Sequence, residues 1–297
     1  MMFGLREEFT YRKCQRCETL WLGDPPKDPS NYYGDEYYSM SSARIVSRSL
    51  LRQTAAWTLL RLPASWLDLL SMRVDIRPHF VRYLAGQNVR CDCKIADVGS
   101  GEGELIRRMA RCGFNNLWGI DPHISNDRDD GPIKLRRGYL EDLDESFDVI
   151  MFNHSLEHVP DPLHTLIAAR NSLKLHGSVV VRLPILGFAW ERYGSDWVAL
   201  DPPRHTFVPS LGGFRILAGR AGFQIERIFF DSTSLQFKGS ERYLSDTPLL
   251  ASDDNVPASV LSFERTNKAK WERLARQLNR AGRGDAAGFV LRVARER

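Results

Sequence analysis

Between residues 94 and 231, short apolar runs alternate with longer amphipathic stretches, the pattern that strands and crossover helices of a parallel sheet produce. Lys94-Ile-Ala-Asp-Val98 predicts a short buried strand, and Gly99-Ser-Gly-Glu-Gly103 turns it into a helix from Glu104 to Cys112. Asn116 to Ile120 predicts a second strand that ends at Asp121-Pro122. Ile133 to Arg137, closed by Gly138, predicts a third, and Phe147 to Phe152 a fourth. A helix is expected from Pro162 to Leu175, stopped by His176-Gly177, before a fifth strand over Ser178 to Leu183. Leu211 to Ala221 reads as another helix with Gly222 at its end, and Phe223 to Phe230 as a sixth strand. Glycine past helix ends and proline at helix starts set these boundaries.

The flanks read differently. Residues 1–40 hold Cys14-Gln-Arg-Cys17 and the aromatic, acidic tract Asn31 to Tyr38. Residues 41–90 are rich in Leu, Trp and Arg and predict helix with a break at Pro63. Within them Arg44, Arg48 and Arg52 repeat at i, i+4 and i+8 opposite apolar residues, which suits a helix packed on the sheet or one lying on a membrane surface. After Phe230 a polar loop is expected, then a helix from Lys268 to Ala281 and a last strand over Gly288 to Val293. The expected domains are therefore 1–40, 41–90 as a helical lid, and 91–297.

Composition narrows the picture only a little. The 297 residues include 43% hydrophobic and 26% charged positions, which excludes a disordered or fibrous chain. The net charge of +4 is too slight to indicate nucleic-acid binding by electrostatics alone. Five cysteines are too few and too clustered for a disulfide framework. No apolar run at the N-terminus reads as a signal peptide and none is long enough for an integral membrane span, so a cytoplasmic protein is expected.

Candidate chemistry centres on Asp97-Val-Gly99-Ser100-Gly101-Glu-Gly103, at a strand-to-helix turn. The glycine spacing is G-x-G-x-G, whereas the dinucleotide fingerprint is G-x-G-x-x-G. Asp97 precedes the first glycine, where its carboxylate would repel a pyrophosphate and suit a ligand that carries an ammonium and a sulfonium. Asp121 ends the second strand and is placed to hold two ribose hydroxyls.

With these motifs in order, the sequence resembles the class I S-adenosylmethionine-dependent methyltransferases from about Lys94 to Phe230. The resemblance implies an α/β fold with a Rossmann-like, seven-stranded, mostly parallel sheet, helices on both faces and an antiparallel last strand beside the sixth. It implies S-adenosyl-L-methionine as cofactor, held by Asp97, Gly99, Ser100, Gly101, Gly103, Asp121, Pro122, Tyr139, Leu140, Asn153 and His154. Gly138-Tyr139-Leu140 matches the segment along the adenine, and Asn153 the strand end beneath the methionine part. The implied activity is methyl transfer to a small-molecule or sugar-like acceptor at oxygen, with no nucleic-acid partner. The alternatives are an inert protein of the same fold that binds the cofactor and a nicotinamide-dependent oxidoreductase, which the glycine spacing and Asp97 disfavour.

His154-Ser-Leu-Glu157-His158 matches the H-x-x-E-H pattern of some zinc proteases, but that chemistry needs a helix, and Val159-Pro160-Asp161-Pro162 follows at once. The segment is similar instead to the post-strand motif of small-molecule methyltransferases, including the ubiquinone-pathway O-methyltransferases. Some of those enzymes bind a divalent ion there through an acidic residue, a Glu and a His. This chain has His154 where the first acid would stand, so Glu157 and His158 are expected to orient the wall of the site rather than to hold a metal. Asp201-Pro-Pro-Arg204-His205-Thr-Phe207 resembles a segment of small-molecule and sugar methyltransferases whose His-x-Phe lies at the mouth of the substrate pocket. A hydroxyl acceptor needs a base, and His205, then His158, are the candidate catalytic residues. Trp190, Tyr193 and Trp197 could form an aromatic wall or pack in a core. Tyr11 to Leu22, with Cys14 and Cys17, resembles half of the zinc ribbon that precedes many such enzymes. Two ligands fall short of the four that a structural zinc site needs, so a shortened ribbon is expected.

Overall fold

The computed structural model describes residues 2, 4–28, 32, 50–71 and 78–294. In chain order the strands are β1 (Tyr11–Lys13), β2 (Leu20–Leu22), β3 (Ile95–Val98), β4 (Leu117–Ile120), β5 (Arg128–Asp130), β6 (Ile133–Arg136), β7 (Phe147–Asn153), β8 (Leu173–Pro184), β9 (Phe207–Val208), β10 (Phe223–Phe230) and β11 (Ala286–Val293). The helices are α1 (Leu50–Leu60), α2 (Ala64–Ser71), α3 (Phe80–Leu84), α4 (Glu104–Arg111), α5 (Pro162–Asn171), α6 (Phe188–Tyr193), α7 (Leu211–Arg220), α8 (Leu235–Leu244) and α9 (Ala258–Arg280). The chain divides into two compact units, each built from several stretches. One takes in the described residues of 1–34, 184–216 and 229–287, and the other those of 35–183, 217–228 and 288–297.

The second unit is built on a mixed sheet ordered β10-β11-β8-β7-β3-β4-β6-β5. Neighbours β3–β4, β3–β7, β4–β6 and β7–β8 are parallel. Strand β7 is buried along most of its length, as a parallel strand covered on both faces requires. Seven strands are those the hydrophobic pattern predicts. The eighth, β5, is a short polar edge antiparallel to β6, with too few apolar residues to announce itself. The last strand, β11, lies between β10 and β8. From β3 the chain first adds β4 and β6 on one side, then β7 and β8 on the other. The C-terminal ends of β3 and β7 are therefore the switch point where such sheets bind ligands.

The helical segment before β3 is fastened to this unit. Trp57 donates to the carbonyl of Cys112 at 2.9 Å and packs on Phe114 with ring centroids 4.9 Å apart. Arg227 ties three pieces together, pairing with Asp68 at 3.1 Å and donating to the carbonyls of Arg82 and Ala85 at 2.6 and 2.9 Å. The expected break at Pro63 separates α1 from α2. Arg44, Arg48 and the side chain of Arg52 lie outside the described residues.

Helix α5 starts as predicted, with Pro162 in its first turn and the Asp161 carboxylate accepting from the His164 amide at 2.9 Å. It ends at Asn171, not at Leu175. Leu173 instead pairs with Phe147 and opens β8, so sheet pairing overrides the local helical pattern of Leu173 to His176.

The first unit carries a second sheet, ordered β1-β2-β9 and antiparallel throughout. Its core gathers Leu20, Val208, Tyr193, Trp197, Phe237 and Trp271 among others. Helix α8 falls where a polar loop is expected. Its buried residues include Gln236, Ser240 and Arg242, whose polarity hides the helix from a hydrophobic pattern. Two of these groups are bonded inside: Arg242 pairs with Glu264 at 2.5 Å, and Ser240 accepts from the Val198 amide at 2.9 Å. The same pair explains why α9 begins ten residues before Lys268, since Glu264 must face Arg242.

Trp197 is wholly buried, and its indole donates to Asp285 at 3.0 Å. Tyr193 donates to Glu241 at 2.8 Å. Both belong to the core of the unit, with Trp190 packed edge-on against Trp197. Packing, rather than an aromatic wall, accounts for this trio.

Candidate functional site

Asp97 lies in β3, between Gly119 of β4 and Met151 of β7, and is 3% exposed. Its Oδ1 is buried without a hydrogen-bond partner. Burial, and secondly the nearby Asp121 carboxylate, push the Asp97 carboxyl up to about 8. Asp121 follows β4 and is 8% exposed. Its Oδ2 accepts the Gly101 amide and its Oδ1 the His123 amide, each at 2.8 Å. Each carboxylate oxygen can accept a further hydrogen bond.

The glycine loop is self-contained. The Gly99 and Ser100 amides donate to Ile120 at 2.8 and 3.4 Å, the Gly101 amide to Asp121, and the Gly103 amide to Ser100 at 3.0 Å. Four amides that a pyrophosphate would need are already committed, which opposes a dinucleotide ligand more directly than the spacing does. Gly99, at φ 75°, packs so closely on Ser155 that any Cβ would overlap its side chain. The Ser155 hydroxyl in turn donates to the carbonyl of Val98 at 2.5 Å. Gly103 caps α4 in the left-handed region at φ 83°. Glycine is thus required here by backbone geometry and by close packing.

The other expected cofactor residues follow the strand ends. Pro122 is half-buried after Asp121. Tyr139 is 59% exposed, while Leu140 is buried in the core. The Tyr139 amide donates to Asp142 at 2.8 Å, which fixes this turn. Asn153 ends β7 and accepts from Arg182 of β8, whose guanidinium lies 4.4 Å from the ring centre of Tyr83. Arg182 is a polar residue at the same strand ends that the motifs did not single out. A lone Arg closing a Val-rich strand was the available signal.

His154 has φ 56°, and its Nδ1 lies 3.3 Å from Glu157 Oε1. Leu156–His158 is a single 3-10 turn, so the helix that a zinc-protease reading needs is absent from this segment. Glu157 is fully buried and His158 half-buried in that turn.

His205 belongs to the other unit. Its Nδ1 is 2.8 Å from the carbonyl of Ala199, an acceptor only, so Nδ1 carries the proton and Nε2 is the basic nitrogen. Nε2 lies 3.8 Å from Asp201 Oδ2, an ion-pair distance rather than a hydrogen bond. Asp201 is held by Arg204, which donates to both carboxylate oxygens at 2.5 Å. The phenol of Tyr11, in β1, donates to the carbonyls of His205 and Leu200 at 2.7 and 3.2 Å. Sequence reasoning passed over Tyr11, because its partner lies on a distant stretch of chain.

Residues 51–228, more than half of the chain, match the family model described as a methyltransferase domain. The chain belongs to this methyltransferase-domain family. Within it, the chain is similar to the ubiquinone biosynthesis O-methyltransferase of Neisseria meningitidis serogroup A, 33% identical over 121 residues. That match covers 35% of this chain and 50% of the relative. The enzyme of the same name from Cereibacter sphaeroides is 33% identical over 128 residues, 38% of this chain and 51% of the relative. The matched part thus spans about half the length of these relatives. A solved S-adenosylmethionine-dependent methyltransferase from Archaeoglobus fulgidus superposes with a TM-score of 0.42 at 16% identity, covering 78% of this chain and 95% of that one.

The cofactor of the methyltransferase-domain family is S-adenosylmethionine, and the residues present fit it. A buried carboxylate oxygen without a partner calls for a cationic or hydrogen-donating ligand, and Asp97 supplies that oxygen. Asp121 adds two acceptor oxygens fixed by backbone amides, as a vicinal diol needs. Among the described residues, no helix is long and apolar enough to cross a membrane.

Proposed function

We propose that this protein transfers a methyl group from S-adenosylmethionine to the hydroxyl of a small-molecule or sugar-like acceptor, such as a glycan precursor, in the cytoplasm. The observation that supports this most is the buried, partnerless oxygen of Asp97 beside Asp121 at the switch point of the sheet. The similarity to enzymes named as O-methyltransferases supports oxygen as the accepting atom.

Bound S-adenosylmethionine supplies an electrophilic methyl group on a cationic sulfur. In this reading Asp97 receives the ammonium of the methionine part, and Asp121 accepts from both ribose hydroxyls. Gly99, Ser100, Gly101, Gly103 and Pro122 line the path between them. Tyr139 and Leu140 border the adenine, and Asn153 and His154 border the methionine end. On the acceptor side His205 takes the proton of the attacking hydroxyl at Nε2. The bond from Nδ1 to Ala199 fixes that tautomer. His158 is the second candidate for the base.

Calorimetry with S-adenosylmethionine, NADH and NADPH tests the reading. Binding of S-adenosylmethionine alone is the expected result, and a preference for a nicotinamide nucleotide overturns it. Binding followed by transfer to hydroxyl acceptors separates an enzyme from an inert protein that only holds the cofactor.

A further inference from the structure

The Cys14-Gln-Arg-Cys17 motif has no part in the proposed methyl transfer, yet the fold builds a specific environment around it. The four residues make the turn that joins β1 to β2. The Cys14 amide donates to Thr19 at 2.9 Å, and the Cys14 carbonyl accepts from Glu18 at 2.8 Å. A four-residue turn holds its end Cα atoms within about 7 Å, which overlaps the span of a disulfide. Both thiols are free and partly exposed. Among the described residues, neither cysteine belongs to a group of three or more potential metal ligands.

The two sulfurs are not equivalent. The backbone amides of Cys17 and Arg16, and after them the Cys17 thiol, hold the Cys14 thiol below the usual thiol range. The Cys17 thiol is also 3.4 Å from the Thr19 hydroxyl. A partly exposed thiol eased toward its thiolate by backbone amides, with a second thiol three residues on in the same turn, is the arrangement of a peroxide-reactive cysteine and its resolving partner.

We propose that Cys14 and Cys17 are a reversible dithiol–disulfide site, in which Cys14 reacts with a peroxide and Cys17 resolves the product. The Cys14 thiolate attacks one peroxide oxygen, the O–O bond breaks, and the leaving hydroxide takes up a proton as water. The Cys14 sulfenic acid then condenses with the Cys17 thiol, forming the S–S bond and releasing a second water. Two thiols lose two electrons, and one hydrogen peroxide gains them. A dithiol reductant reverses the step. The event would be felt beyond the turn, because the Cys17 carbonyl accepts from the Ser210 hydroxyl at 2.5 Å and Ser210 caps α7 through the Gly213 amide at 2.9 Å.

The test needs neither cofactor nor acceptor, so it stands apart from the methyltransferase reading. The reduced full-length chain is treated with one equivalent of hydrogen peroxide, alkylated and digested with trypsin. Arg16 lies between the two cysteines, so the Cys14 and Cys17 peptides separate unless a disulfide joins them. The expected result is a joined pair, lighter by two hydrogens and split again by dithiothreitol. In Cys17→Ser a sulfenic-acid probe such as dimedone should label Cys14, and in Cys14→Ser the tryptic fragment of Cys17 should stay alkylated. Separate peptides after peroxide, or oxidation that falls first on Cys91, Cys93 or Cys112, overturns the proposal without reliance on any variant.

Discussion

The phenol of Tyr11 donates a 2.7 Å hydrogen bond to the backbone carbonyl of His205, 194 positions later in the chain. The same hydroxyl lies 3.2 Å from the carbonyl of Leu200, so one donor serves both ends of the segment that carries the candidate base. Burial, and secondly the charge of Asp201, raise the Tyr11 phenol, which therefore stays a donor throughout the physiological range.

Tyr11→Phe keeps the ring and deletes the donor. Two part-buried carbonyls lose their partner, and stability should fall by about 1–3 kcal/mol. Urea melts of the two proteins measure this. If Tyr11 also positions His205, turnover drops while the Kd for S-adenosylmethionine stays put. A variant with unchanged melting and unchanged turnover removes Tyr11 from both roles.

For His205 the informative change is to Asn, whose side-chain amide can still donate to Ala199 but cannot act as a base. Turnover should fall by roughly 10²–10⁴-fold with melting and cofactor binding preserved. Parallel loss of stability and binding would mark the histidine as structural. Near-normal turnover would shift attention to His158.

Asp121→Asn should weaken S-adenosylmethionine binding by about 1.5–3 kcal/mol, the scale of a hydrogen bond to a charged group. The substitution also weakens the acceptors for the Gly101 and His123 amides, so hydrogen exchange should quicken at those two positions. Calorimetry reads the affinity, and an unchanged Kd places the ribose elsewhere.

Asp97 makes stability depend on pH in a defined sense. Its native carboxyl sits at about 8, against 3.8 for an ordinary aspartate. Between those values the folded protein holds a proton that the unfolded chain has released. This contribution is therefore complete below about pH 4 and is lost as pH rises to about 8. Without cofactor, the protein should melt lower at pH 8.5 than at pH 6, and Asp97→Asn should remove part of that difference. Adding S-adenosylmethionine, a cation, should stabilise the wild type more at the higher pH. Equal pH dependence in wild type and Asp97→Asn would refute the assignment.

The sequence by itself determined the parallel sheet, because its strands are short apolar runs closed by glycine and proline, a signal carried by neighbours along the chain. Asp97, the glycines and Asp121 were legible for the same reason: a strand-to-helix turn places them within a few residues of defined strand ends. Where the code is long-range, it was silent. The polar residues of α8 and of the first ten positions of α9 read as loop until Arg242 and Glu264 meet, and the end of α5 was set by the pairing of Leu173 with Phe147. Trp197 read equally well as pocket or core until Asp285, 88 positions on, was found to accept its indole proton. Only the tertiary structure could show that the loop amides are already spent on Ile120, Asp121 and Ser100, or that Tyr11 reaches His205. Hydrogen bonds between distant segments depend on how the backbone folds back, and no spacing along a single chain encodes that distance.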